Sequence, residues 1–94
     1  MKILTTDTYN KWFSNIKDRK LKALITVRLD RISNDNMGDV KSVGDGVSEI
    51  RIHYTSGYRL YFTKQGKEII ILLCGGDKGT QKQDINKAKE MLKW

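Results

Sequence analysis

The amino-acid sequence predicts a small α+β domain with elements in the order β-α-α-β-β-β-α, its mainly antiparallel sheet packed on a helical hairpin and a C-terminal helix. Two observations carry this. Apolar residues recur at helical spacing through the first third of the chain, alternate after Asp39, and return to helical spacing after Thr80. The chain has 94 residues, enough for one domain spanning 1–94 around one modest core. Its formal net charge of +7 suggests an anionic partner, although charge alone does not separate nucleic acid from an acidic protein.

Taken in order, Met1 to Thr5 has the length of a short first strand. Thr6 or Asp7 can cap a helix in which Tyr9, Trp12, Phe13 and Ile16 fall at i, i+3, i+4 and i+7, one buried stripe. Trp12 and Phe13 therefore read as core rather than as stacking platforms for bases. The period restarts at Leu21 and runs through Leu24, Ile25, Leu29 and Ile32, ending near Asn34-Asp35-Asn36-Met37-Gly38. The outer faces of this helical pair are expected to carry Lys11, Lys17, Arg19, Lys20, Lys22, Arg28 and Arg31, as a solvated face or a partner surface. Val40 and Val43 then lead into Gly44-Asp45-Gly46, a tight-turn sequence that needs positive φ. Lys41 lies in this strand, its face depending on the turn register.

Val47 to Phe62 reads as a hairpin with two unlike faces, closed by the three-residue loop Thr55-Ser56-Gly57. Side chains alternate along a strand, so Ile50, Ile52 and Tyr54 share one face with Tyr58, Leu60 and Phe62. Pairing Tyr54 with Tyr58 sets His53 opposite Arg59 and Arg51 opposite Tyr61, on a second face that stays open and polar. A loop at Lys64 to Lys67 precedes the apolar run Glu68 to Cys74, which has the composition of a strand buried on both faces. Gly75-Gly76-Asp77-Lys78-Gly79 reads as a turn, and Thr80-Gln81-Lys82-Gln83 as a capping box opening a last helix with Ile85, Ala88 and Leu92 inward. That turn either offers backbone N–H groups to a phosphate at a helix N-terminus or serves only to begin the helix. Neither nucleotide-binding glycine fingerprint is present.

Arg51 and Arg59 on adjacent strands, with Lys78 at the end of the next, can converge on one phosphate. Such a cluster suits metal-free RNA cleavage, in which a 2′-hydroxyl attacks the neighbouring phosphorus, cations hold the added charge and an acid protonates the departing 5′-oxygen. His53 is the only side chain with a reference pKa near neutrality, hence an acid/base candidate as well as an ordinary solvent-facing residue. Tyr61 can stack on a base, orient the phosphate or simply pack across strands. Glu49 can act as a base or pair with Arg51. Tyr61, Lys41 and Gly76 complete the substrate-binding candidates. One cysteine, Cys74, and one histidine build neither an intramolecular disulfide nor a structural zinc site, so no metal and no cofactor is expected. Without a signal-like or membrane-length apolar run, a cytoplasmic protein with no membrane contact is expected.

Glu-Ile-Arg-Ile at 49–52, Gly-Tyr-Arg-Leu-Tyr-Phe at 57–62 and Leu-Leu-Cys-Gly-Gly-Asp-Lys-Gly-Thr-Gln-Lys-Gln-Asp-Ile at 72–85 resemble the RelE/ParE toxin superfamily, in its addiction-module killer, HigB-like branch. The resemblance covers nearly the whole chain. It implies the RelE-like fold and a type II toxin that cleaves mRNA, commonly on the ribosome, and is silenced by a cognate antitoxin, a DNA-binding protein encoded beside it. Arg59 matches the family's hairpin arginine, and Lys78 the cation after the final strand. Glu49, Arg51 and His53 stand where RelE-like enzymes alternate Lys, Lys and Arg, so the first lysine is missing. Asp84 lies near the place of a C-terminal tyrosine and becomes a candidate for proton transfer or orientation. Members of the ParE type instead inhibit DNA gyrase without catalysis, the alternative function the resemblance allows.

Overall fold

The computed structural model describes residues 1–93. Its elements are β1 (Lys2–Thr5), α1 (Asp7–Ser14), α2 (Arg19–Ser33), β2 (Val40–Gly44), β3 (Val47–Ile52), β4 (Tyr58–Gln65), β5 (Ile69–Asp77), a 3₁₀ turn (Lys78–Thr80) and α3 (Gln81–Met91). One five-stranded sheet has the order β1-β5-β4-β3-β2; β1 pairs with β5 in parallel and all other neighbours are antiparallel. The expected α+β architecture is thus present, with the helical pair on one face and α3 on the other, but four strands follow the helical pair where the expected order had three.

Local chemistry explains the boundaries. Thr6 caps α1, its hydroxyl oxygen accepting from the Tyr9 N–H at 3.1 Å and donating to the Leu73 carbonyl at 2.8 Å, which ties the cap to β5. Asp18 caps α2, Oδ1 accepting from the N–H groups of Lys20 and Leu21. The turn after β2 has φ of 93°, 53° and 80° at Gly44, Asp45 and Gly46, as its sequence requires. Ile50, Ile52, Leu60, Phe62, Ile70 and Leu72 form the core with Tyr9, Leu21, Ile25 and Ile32 of the helical pair. Trp12, Phe13 and Ile16 pack against that core as their spacing predicts.

The hairpin differs from its expected geometry. β3 ends at Ile52, and the strands join through five residues, His53 to Gly57, with Thr55 at φ 51° and Gly57 at φ 89°. Ile52 pairs with Tyr58, Arg51 with Arg59 and Glu49 with Tyr61, a shift of two residues from the register that alternation suggested. Tyr54 leaves the sheet because it has a better partner elsewhere: its hydroxyl donates to Asp18 Oδ2 at 2.9 Å, at the cap of α2. The second face is not open either. Val47, Tyr61, Leu73 and Cys74 are buried with Ala88 of α3, and Tyr61 is fully covered. A bulge makes this possible, since Tyr61 pairs with Cys74 and Phe62 with Leu72, leaving Leu73 as the extra residue.

Two further expectations need correction. Gly75 and Gly76 are not a turn but the buried end of β5, paired with Leu60 and Arg59. Glycine is required there by close approach: a Cβ on Gly75 would stand 2.5 Å from the Trp12 ring, and one on Gly76 would collide with the Asp84 carboxylate. The capping box does not form. Asp77 Oδ1 accepts from the Thr80 N–H at 3.1 Å to cap the 3₁₀ turn, while the Thr80 hydroxyl turns to Asp84 Oδ2 at 2.6 Å.

Candidate functional site

A depression of about 520 Å³ opens at the end of the β3–β4 hairpin, lined by Arg51, His53, Gly57, Arg59 and Lys78 among others. Four of the sequence-predicted catalytic candidates meet here. Arg51 and Arg59 are direct cross-strand partners, so two like charges stand opposite each other, an arrangement that is unfavourable unless a counter-charge intervenes. Glu49 provides it. This carboxylate, with only 3% of its side chain exposed, has Oε2 3.5 Å from Arg59 Nε and Oε1 4.0 Å from Arg51 Nε. From α3, Gln81 Nε2 donates to Glu49 Oε2 at 3.2 Å. The side chain that opens α3 therefore closes the buried end of the arginine pair. Lys78 stands exposed beyond them, its backbone N–H donating to the Gly57 carbonyl at 3.1 Å.

Asp39, which precedes β2, contacts two of the side chains that line the depression. Its Oδ1 lies 3.2 Å from Arg51 Nη2 and its Oδ2 2.6 Å from His53 Nε2. The hydrogen bond from His53, aided by the charge of Arg51, holds the Asp39 carboxyl below the usual carboxylate range, so at neutral pH it is an acceptor only. Arg28 is not on the outer face of α2. Its guanidinium donates to the carbonyls of Arg51 at 2.7 Å, Asp39 at 2.8 Å and Met37 at 3.2 Å, and burial lowers its pKa. The Arg51 N–H also donates to the Asp39 carbonyl at 3.0 Å, so this backbone junction is pinned from two sides.

A family model described as phage derived protein Gp49-like (DUF891) matches residues 10–93. The chain belongs to the Gp49-like family. This is a RelE-like toxin family of toxin–antitoxin systems. An uncharacterized protein of Haemophilus influenzae is 47% identical to this Gp49-like chain over 89 residues, 95% of this chain and 90% of that protein.

The other candidates of this Gp49-like chain lie outside the depression. Lys41 is exposed on β2, paired with Glu49 in the ladder. Gly76 lies beneath Asp84, beside Arg59, and its paired position in β5 is not that of a phosphate-binding turn. Asp84 accepts from the Thr80 hydroxyl. Tyr61 is sealed under α3, and burial drives the pKa of its phenol up. Cys74 is a buried thiol whose pKa is pushed up to about 11, chiefly by burial, and its Sγ donates to the Asp84 carbonyl at 3.6 Å. Sequence reasoning missed Asp39, Arg28 and Gln81. For Gln81 the signal was present but was assigned to helix capping; for Asp39 and Arg28 the contacts are set by folding across 14 and 23 residues.

Proposed function

We propose that this chain is the toxin of a type II pair, of the HigB-like branch, and that it is a metal-independent endoribonuclease acting on mRNA at the ribosome in the cytoplasm. The observation that carries this reading is the convergence of Arg51, Arg59 and Lys78 on one depression with His53 at its rim. In the proposed reaction the three cations hold the scissile phosphate and stabilise the charge that accumulates as the 2′-oxygen attacks phosphorus. The P–O5′ bond breaks and the departing 5′-oxygen takes a proton from solvent water, leaving a 2′,3′-cyclic phosphate and a 5′-hydroxyl end. His53 accepts the 2′-hydroxyl proton. Glu49 sets the spacing of the two arginines and takes no proton. A cognate antitoxin, proposed as a DNA-binding protein encoded alongside, would silence the toxin by covering this depression or by displacing α3, whose Gln81 holds Glu49.

The test is mapping RNA ends after incubation of the purified protein with translating ribosomes in the presence of a chelator. Wild type is expected to leave cyclic-phosphate or 3′-phosphate ends, and Arg59→Ala to cut about 10²-fold more slowly or worse. An Arg59→Ala protein cutting as fast as wild type overturns the mechanism. Intact mRNA together with blocked gyrase supercoiling would transfer the chain to the gyrase-inhibiting alternative.

A further inference from the structure

Resting on the ribonuclease reading, we propose that Asp39 is a positioning residue that fixes the tautomer of His53, so that Nδ1 is the nitrogen that takes the 2′-hydroxyl proton. Asp39 Oδ2 lies 2.6 Å from His53 Nε2, and a carboxylate can only accept, so Nε2 carries the hydrogen and donates it. The neutral ring then has its lone pair on Nδ1. When Nδ1 takes a proton, the resulting imidazolium remains bound to a full negative charge. This is how a carboxylate behind an imidazole assists a general base without itself being protonated.

The backbone supports the assignment. Asp39 would be a poor positioning group if it moved, since it precedes a strand and 37% of its side chain is exposed. Its carbonyl, however, accepts from both the Arg28 guanidinium at 2.8 Å and the Arg51 N–H at 3.0 Å. Gly38 lets the chain pass directly under Arg28: a Cβ there would lie 2.8 Å from the guanidinium, at a φ of 70°. The same carboxylate spans His53 and Arg51, so one residue aligns the proton acceptor with a phosphate-binding cation. The charged and titratable groups around the imidazole are Asp39, Arg28 and Arg31 on one side, and Arg51, Arg59, Lys78 and Tyr54 on the other. Asp39 is the only carboxylate among these described residues.

His53 is the single histidine of the chain, which makes the test unambiguous. Cleavage rates against pH are measured for wild type, Asp39→Asn, His53→Gln and the double variant, each checked for folding by thermal melting. Asparagine keeps the shape and removes the charge. Asp39→Asn is expected to slow cleavage by about tenfold or more, inside the roughly 10²- to 10⁴-fold a proton-transfer group contributes, and to displace the acid limb of the pH profile. That limb should vanish in His53→Gln, and the double variant should be no slower than His53→Gln alone. In parallel, the ring nitrogens of the one imidazole are observed by NMR: a hydrogen-bonded Nε2–H signal is expected in wild type and lost in Asp39→Ala. A wild type that cuts RNA beside an Asp39→Asn protein with an unmoved limb, or multiplicative losses in the double variant, overturns the proposal alone. A folded wild type that cuts no RNA removes the ribonuclease reading and this proposal with it.

Discussion

Tyr61 illustrates how a single atom can disagree with its surroundings. Its ring is wholly buried against α3, and its hydroxyl meets no hydrogen-bond partner among the described residues. Burying a hydroxyl without a partner costs on the order of 1–3 kcal/mol, whereas the ring contributes its full apolar area. Tyr61→Phe is therefore expected to leave stability unchanged or raise it by about 1 kcal/mol, measured by urea unfolding. A loss exceeding about 1 kcal/mol would show that the hydroxyl is satisfied in solution by an ordered water. Arg28 presents the opposite case, a cation whose three carbonyl acceptors compensate for partial burial. A charged residue on the inner side of α2 thus serves as a latch between that helix and the hairpin.

At the scale of elements, β5 decides most of the architecture, and its last residues are its most demanding. Gly75→Ala would drive a methyl into the Trp12 ring, and either the indole or the strand must give way. Overpacking of this kind costs about 1–3 kcal/mol, so a fall in the thermal midpoint is expected, and a Trp12→Leu background should recover part of it. The elements whose side chains repeat with a clean period were legible in the sequence: the Tyr9-Trp12-Phe13-Ile16 stripe, the alternation through Ile50 and Ile52, and the apolar run of β5. The hairpin register was not legible, because Tyr54 fits the alternation but is drawn away by Asp18, 36 residues earlier. Gly75-Gly76 misled for a related reason: glycine marks a turn locally, but here it marks the place where Trp12 and Asp84 come close. The two arginines and Lys78 were readable from strand parity and order. Asp39 was not, because nothing near it in the chain foretells a contact with His53.

Across the whole molecule, two carboxylates link stability to acid. Hydrogen bonds, chiefly from the Tyr54 hydroxyl, hold the Asp18 carboxyl below its ordinary value, and the bond from His53 does the same for Asp39. In the unfolded chain both carboxyls revert to the ordinary range near pH 4, so over that range the unfolded state binds more protons. The stabilisation is fully present above that range and is lost as pH falls through the depressed native values. Thermal midpoints are expected to drop on acidification from about pH 6 to about pH 3, and an Asp18→Asn/Asp39→Asn protein should show a shallower drop from a lower start. Identical pH slopes in the two proteins would contradict this.

The pairing of Arg51 and Arg59 with Glu49, and of Arg51 with Asp39, also bears on what the depression can select. A phosphate entering it meets two arginines that already have counterions, so its binding to them is an exchange of partners and not the capture of a free anion. Against a ground-state diester bearing one negative charge, that exchange gains less than it does against a more highly charged species. Against the pentavalent phosphorus of the proposed cleavage, with more negative charge spread over its oxygens, it becomes favourable, and this difference between the two states is what accelerates a reaction. Balanced arginines of this kind would leave most cellular polyanions loosely held and reserve tight binding for the reacting bond.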